Sequence, residues 1–238
     1  MADDAQGLSR SVEDYLKAIY GLCNRGEVAS TSAIAEALDV QPASVTGMVK
    51  RLAESGLLEH VPYRGVELTD AGTREALSIL RRHRILETYL TEHLGYSWEE
   101  VHREAERLEH AASDGLIERM AAALKDPSHD PHGAPIPTRA GEIEPTDSLT
   151  LAEVAQGVEV QIRAVRDDDS DGLRAIETAG LFPGVRVRVV NRSLSDGTLH
   201  VTVGKREERD LAVDLSVARR VYVVPNAASR KRSAEDAE

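Results

Sequence analysis

Glu106, Glu109 and His110 fall in the run Glu-Arg-Leu-Glu-His, with His102 four residues before Glu106. Carboxylate oxygens and imidazole nitrogens are donors for hard or borderline divalent ions such as manganese and ferrous iron, whereas softer ions prefer thiolates. At i, i+3 and i+4 on a helix such donors converge on one cation with little backbone strain. The surrounding stretch Val101–Ala112 lacks Gly and Pro and is rich in good helix formers, so it is expected to be a helix. Val101, Ala105, Leu108 and Ala112 then form an apolar stripe, and His102, Glu106, Glu109 and His110 a polar one beside it. On spacing alone, a solvated acidic face with two histidines is the simpler reading. The elements that would position these groups shift the balance.

The chain has 238 residues, enough for two modest domains or one large one. Aromatic residues are only 3% of it, so its cores must be built from Val, Leu, Ile and Ala. No hydrophobic run approaches a membrane span and the first ten residues do not have the order of a signal peptide, which leads us to expect a soluble cytoplasmic protein with no membrane partner. A single cysteine, Cys23, excludes an intramolecular disulfide and a cysteine-rich zinc site. The net charge of −12 counts against nucleic acid at first sight. Its distribution answers the objection: residues 41–84 hold seven basic and five acidic residues, whereas residues 141–181 hold three and ten.

Ser11–Cys23 reads as a helix capped by Ser11, with Val12, Tyr15, Leu16, Ile19 and Cys23 on one face. Glu13 and Asp14 suit its positive end, and periodicity alone leaves Asp14 exposed. Thr31–Leu38 is a short helix, followed by the turn Asp39–Gln41 and a second helix opened by Pro42. That helix carries small hydroxyl residues in its first turns and the pair Lys50-Arg51 later, as a helix entering a major groove requires. Two short strands around Pro62–Gly65 follow. Helix, helix, helix, hairpin is the order of a winged helix-turn-helix, with Arg64 at the wing tip.

Thr69-Asp70 caps a long helix from about Ala71 to His93, on which His83 and Glu87 stand at i, i+4 beside the face of Ile79, Leu86 and Leu90. An ordinary surface contact also accounts for that pair. Ser97 caps the helix of the opening motif, and Asp114–Leu124 is another; part of this helical surface is expected to serve dimerisation. Residues 126–148 are Pro- and Gly-rich and read as a linker with His129 and His132 exposed. Strand-like alternation then appears at 158–164, 185–189, 199–203 and 221–224, with a short helix around Leu173–Ala179. Residues 149–225 thus make a small SH3-like β-barrel, and 226–238 a charged, disordered tail.

Taken together, "VEDYLKAIY", "IAEALDVQPASVTGMVKRL", "RRHRILETYL", "VHREAERLEH", "DPHGAPIP" and "GLFPG" resemble the diphtheria-toxin-repressor family of metal-dependent transcriptional regulators, most closely its manganese-responsive branch. The resemblance covers residues 11–225. It implies a mainly α chain with three parts: a winged helix-turn-helix (1–70), a helical metal-binding and dimerisation domain (71–125), and the SH3-like (FeoA-like) barrel. It implies a homodimer that binds a palindromic operator when Mn²⁺, or alternatively Fe²⁺, is bound at one or two ions per subunit, repressing metal-uptake genes. Carried over by position, the principal metal site would use Asp14, Glu106, Glu109 and His110. The iron-responsive branch tends to have Met and Cys where this chain has Asp14 and Glu106, and the harder donors favour manganese. Lys17 departs from the pattern of the compact two-metal manganese regulators, which carry a carboxylate there. A second site would take His83, Glu87 and His102, completed by Asp169 from the Asp167–Asp171 cluster. An exposed acidic loop is an equal reading of that cluster, and Gly172 supplies no side chain where the family has a donor. Without metal, Asp14, Glu106 and Glu109 would repel and leave the first helix free to move. Gln41, Ser44 and Thr46 would face base edges, and Lys50, Arg51 and Arg64 the phosphates.

Two other classes account for less of the sequence. A hydrolytic metal centre lacks His-Glu-x-x-His, a nucleophile motif and a phosphate loop, so no enzyme and no organic substrate is expected. A metal-buffering protein without DNA binding does not account for the Lys50-Arg51 helix and the wing.

Overall fold

The computed structural model describes residues 8–61, 65–145, 149–166, 170–193, 196–204 and 208–225. They divide into two compact units. One comprises the chain up to His83 with Glu106–Glu118 and Pro137–Ile143; the other comprises Arg84–Ala105, Arg119–Ile136 and the chain from Glu144. Among the described residues no helix is long and apolar enough to cross a membrane.

The first unit opens with α1 (Arg10–Asn24), α2 (Thr31–Leu38), α3 (Pro42–Glu54) and the strands β1 (Leu58–Val61) and β2 (Gly65–Leu68). Ser9 rather than Ser11 begins α1, because the helix starts at Arg10 and the Ser9 carbonyl accepts from Val12 N at 2.8 Å. Ser30 caps α2 through its hydroxyl, which accepts from Ala33 N at 3.1 Å, and Asp39 ends it in the left-handed region. Leu16, Ile19, Ile34, Val45, Leu52, Leu58 and Val66 form one buried cluster, so the apolar stripes of all three helices and the hairpin close on each other. The strands pair antiparallel from Leu58↔Leu68 to Val61↔Gly65. Gly65 has φ +74°, and a Cβ there would lie 2.4 Å from the Ala29 carbonyl oxygen, which accepts from Val66 N at 3.2 Å. Only glycine permits this approach of hairpin to loop. Arg64, expected at the wing tip, lies outside the described residues.

Next come α4 (Asp70–Leu94), capped by the Thr69 hydroxyl, then α5 (Trp98–Leu108) and α6 (Asp114–Ala123). Here the structure corrects the opening expectation. The helix of the motif begins at Trp98, directly after Ser97 as expected, but it stops at Leu108 instead of running to Ala112. Glu109 and His110 stand on the turn that follows, where Ala111 N and Ala112 N both donate to the Leu108 carbonyl at 3.0 Å. Val101 and Ala105 are fully buried as expected, whereas Leu108 is 36% exposed, because the chain leaves the helical path there to enter α6.

The second unit contains a five-stranded antiparallel sheet, β3 (Glu159–Val165), β4 (Arg186–Ser193), β5 (Thr198–Val203), β6 (Arg209–Asp214) and β7 (Val221–Pro225), in the order β6-β5-β4-β3-β7. Register shifts at Ile162/Ala164 and Val189/Asn191 mark bulges, which bend strands. The helix α7 (Ser170–Ala179) and the short α8 (Leu215–Ala218) complete it. Its core is aliphatic, as the composition required, apart from Trp98 of α5, which packs into the same cluster. The segment before the sheet also differs from expectation. His132 is fully buried rather than exposed, and Asp130 and Ile136 are buried with it. Asp130 Oδ1 accepts from His132 N and Ala134 N, both at 2.9 Å, which fixes a tight turn. Gly133 (φ +84°) lets that turn lie against β3, since a Cβ there would sit 2.2 Å from the Arg163 carbonyl oxygen.

Candidate metal centre

In the first unit, α1 brings Asp14 and the turn after α5 brings Glu109 and His110, with Glu106 one turn back. One donor atom from each of Asp14, Glu106, Glu109 and His110 lies within 4.8 Å of the others. Asp14 is half-buried, not the solvent-exposed residue that periodicity gave. Burial raises its pKa, and so does the charge of Glu106, with His110, Arg10 and Lys17 offsetting this only in part.

The imidazole of His110 is oriented by a residue that sequence reasoning assigned only to the helix dipole. Glu13 is buried; its Oε2 lies 2.6 Å from His110 Nδ1, and its Oε1 accepts from Arg82 Nη2 at 2.7 Å. A carboxylate is an acceptor, so Nδ1 carries the proton and Nε2 presents its lone pair in the neutral ring. Nε2 is buried without a hydrogen-bond partner, 2.9 Å from Asp14 Oδ1 and 3.4 Å from Glu109 Oε1. With the ring neutral, three acceptors face one another, an arrangement that a cation between them satisfies. The donor set fits a hard divalent ion on this ground. The signal for Glu13 in the sequence was slight: a carboxylate beside an apolar stripe, next to Asp14.

A second cation source is built into the cluster. Lys17 Nζ donates to Glu109 Oε1 at 2.8 Å and Oε2 at 3.0 Å, donates to Glu106, and lies 3.5 Å from His83 Nδ1. Burial opposes its charge, yet the neighbouring Glu109 and Glu106 outweigh this and hold its pKa above the ordinary lysine range. Glu109 is fully buried. Burial pushes its carboxyl up, but the His83 hydrogen bond (2.5 Å) and the Lys17 charge bring it below the usual carboxylate range. The carboxylate repulsion expected from the sequence is therefore met, in part, by Lys17.

The residues expected to form a second site fall in both units. His83 belongs to the first unit, against Glu109 and Lys17. Glu87 and His102 belong to the second, where Glu87 Oε1 lies 3.0 Å from His102 Nδ1. His83 and Glu87 are both buried, which removes the reading of the pair as a surface contact. His132, missed as an exposed linker residue, has its Nδ1 3.7 Å from Glu87 Oε2 and its ring edge-on to Trp98 at 4.9 Å. One donor atom each from Glu87, Asp130 and His132 also lies within 4.8 Å of the others. Asp130 is already committed to its turn and to Arg84 Nε at 3.4 Å, so it is a poor ligand. Asp169 lies outside the described residues.

On α3, Val45, Val49 and Leu52 are buried, and Ser44, Thr46, Lys50 and Arg51 are exposed, as is Gln41 just before the helix. Ala43, Gly47 and Lys50, at i, i+4 and i+7, occupy the middle of the exposed face, with Ser44 and Thr46 on its flanks. The two smallest residues at the centre permit close approach of a groove floor; a Cβ at Gly47 would meet nothing within 4 Å. The Thr46 hydroxyl donates back to the Pro42 carbonyl at 3.2 Å.

A winged helix beside a carboxylate–imidazole cluster defines the class of metal-responsive DNA-binding regulators. Comparison with known proteins bears on which one. Residues 7–66 match the model of the iron dependent repressor N-terminal DNA binding domain, residues 69–138 that of the iron dependent repressor metal binding and dimerisation domain, and residues 149–225 the FeoA domain. The iron-dependent repressor IdeR of Mycobacterium tuberculosis (strain ATCC 25618 / H37Rv) is 34% identical over 194 residues, covering 75% of this chain and 83% of the relative. The diphtheria toxin repressor of Corynebacterium glutamicum is 33% identical over 192 residues, 76% of this chain and 84% of that protein. A solved structure described as a manganese-dependent transcriptional repressor in complex with manganese superposes with a TM-score of 0.85 at 36% identity, covering 90% of this chain and all of that one. The chain belongs to the diphtheria-toxin-repressor family of metal-dependent, DNA-binding transcriptional repressors.

Proposed function

We propose that this repressor responds to Mn²⁺, held by Asp14, Glu106, Glu109 and His110. As a homodimer it then binds a palindromic operator and represses metal-uptake genes in the cytoplasm. The observation that carries the proposal is the meeting of donor atoms from those four residues within 4.8 Å, with His110 Nε2 left without a hydrogen bond. All four donors are oxygen or nitrogen, which supports manganese over softer ions. The manganese-bound repressor structure at 36% identity supports it further. When bound, a divalent ion supplies a cross-link between α1 and the turn after α5. Glu13 keeps the His110 lone pair aimed at that position, and Arg82 fixes Glu13 in turn. Asp14 reports the state of the site to the DNA-binding half, since it stands on the helix whose Leu16 and Ile19 share a core with Val45 and Leu52 of α3. Only the difference in metal affinity between DNA-competent and incompetent arrangements can drive the response.

On DNA, Gln41, Ser44 and Thr46 would read base edges while Lys50 and Arg51, with Arg64, would neutralise phosphates. Glu87 and His102, which meet within the second unit, remain our candidates for holding a second ion. An iron-responsive regulator is the second reading, supported by the iron-dependent relatives at 34% identity. Titration of metal-stripped protein with Mn²⁺, anaerobic Fe²⁺ and Zn²⁺ against DNA from its own promoter tests both. The manganese reading requires activation by Mn²⁺ at the lowest free concentration relative to its availability, and loss of that activation in Asp14→Ala. Activation by Fe²⁺ alone would establish the iron reading instead.

A further inference from the structure

Lys17 is the feature of the cluster that the proposed function does not use. Its side chain is only 19% exposed, and its ammonium lies against both Glu106 and Glu109 and 3.5 Å from His83. Three carboxylates line the centre: Asp14, Glu106 and Glu109. Glu13 is not among them, because Arg82 already balances it at 2.7 Å. With neutral imidazoles, three negative charges are closed by one ammonium and one divalent ion. A second divalent ion would leave two positive charges unbalanced in a largely buried space, where uncompensated charge is costly.

Resting on the proposed metal site, we infer that Lys17 is a tethered cation that occupies the place of a second divalent ion, making the principal centre mononuclear and setting its metal threshold. In the metal-free chain the ammonium holds Glu106 and Glu109 together, so the donor set is kept assembled. The same charge competes with the incoming ion for those oxygens, which weakens binding and lets the centre respond only at higher free metal. Charge and preorganisation therefore pull in opposite directions, and their signs separate under substitution. Lys17→Gln removes the competing charge and leaves the centre short of one positive charge. Lys17→Glu gives four carboxylates, which two divalent ions close.

The test uses the full-length, metal-stripped protein and Mn²⁺ alone. Calorimetry and equilibrium dialysis count the ions, and electron paramagnetic resonance distinguishes isolated from spin-coupled Mn²⁺. Lys17→Glu is expected to bind one more ion per subunit than wild type, with the coupled signal of two adjacent ions. Lys17→Gln is expected to keep the wild-type count and bind at the principal site at least about tenfold more tightly. Lys17→Arg, which keeps the charge, is expected to return both values towards wild type. An unchanged count in folded Lys17→Glu, or weaker binding in Lys17→Gln, would overturn the inference; weaker binding would mean that Lys17 acts only as scaffold. Failure of the underlying site reads differently: wild type and Asp14→Ala would then bind Mn²⁺ alike.

Discussion

Replacing Glu13 with Gln tests the geometry of the centre through a residue that touches no metal. Glu13 Oε2 lies 2.6 Å from His110 Nδ1 and Oε1 2.7 Å from Arg82 Nη2, with the Glu13 side chain 8% exposed. Glutamine keeps the shape and one oxygen acceptor. It loses the charge, and its amide nitrogen cannot accept from whichever donor it faces. If the oxygen stays with Arg82, the amide faces Nδ1, and the ring gains by flipping its proton to Nε2. The imidazole then presents an N–H where a lone pair is needed. Loss of such an orienting partner lowers metal affinity about 10- to 100-fold, or roughly 1.4–2.8 kcal/mol. The Arg82–Glu13 ion pair is lost as well. Removing one partner of a buried pair costs about 3–5 kcal/mol when no polar group replaces it. With the amide oxygen in place, a metal-free stability loss nearer 1–3 kcal/mol is expected. Calorimetric titration with Mn²⁺ and urea denaturation of the metal-free protein measure the two effects separately. A folded Glu13→Gln with wild-type Mn²⁺ affinity would show that His110 does not depend on the Glu13 carboxylate for its tautomer, and the orienting role given to Glu13 would fall.

Three further outcomes are expected. Arg51→Ala should weaken operator binding and reduce the slope of log affinity against log salt by about one, with metal affinity unchanged; an unaltered slope would mean that α3 is not the helix in the groove. Glu106→Cys should reduce Mn²⁺-dependent operator binding and favour Zn²⁺ and Co²⁺, whereas Glu106→Ala should weaken activation by every metal; an unchanged ranking and unchanged midpoints in the cysteine variant would remove Glu106 from the ligand set. Glu118 is paired with Arg81 and Arg139; burial raises its carboxyl, but hydrogen bonds from the two arginines outweigh this and hold it below the usual range. A depressed carboxylate stabilises the fold above its unfolded pKa and loses that contribution as pH falls through the folded one. Thermal unfolding of Glu118→Gln should therefore lag wild type at neutral pH and converge with it in acid, and a gap independent of pH would contradict the assignment.

The sequence by itself determined what depends on neighbours along the chain. Val12, Leu16 and Ile19 lie at helical spacing, Pro42 opens a helix, and Val187 and Val189 alternate with charged residues, so the elements and their buried faces were legible. The donor types around Glu106 were legible for the same reason, as was the exposed face of α3 with Lys50 and Arg51. Strand β6 escaped because it is an edge strand: of Arg209–Asp214 only Val213 is buried, so no alternation marks it. Tertiary structure alone decided which polar groups are buried and with whom. Glu13 reaches His110 across 97 residues of sequence, and Lys17 reaches Glu109 across 92. His132 lies in a stretch with every local sign of a loop, yet it is fully buried beside Trp98. A buried charge survives only where a partner meets it, and that partner is supplied by chain folding rather than by spacing. Periodicity could place Asp14 and Lys17 on the polar side of α1, but only the packing of that helix beside the turn after α5 made one a candidate ligand and the other a cation among ligands.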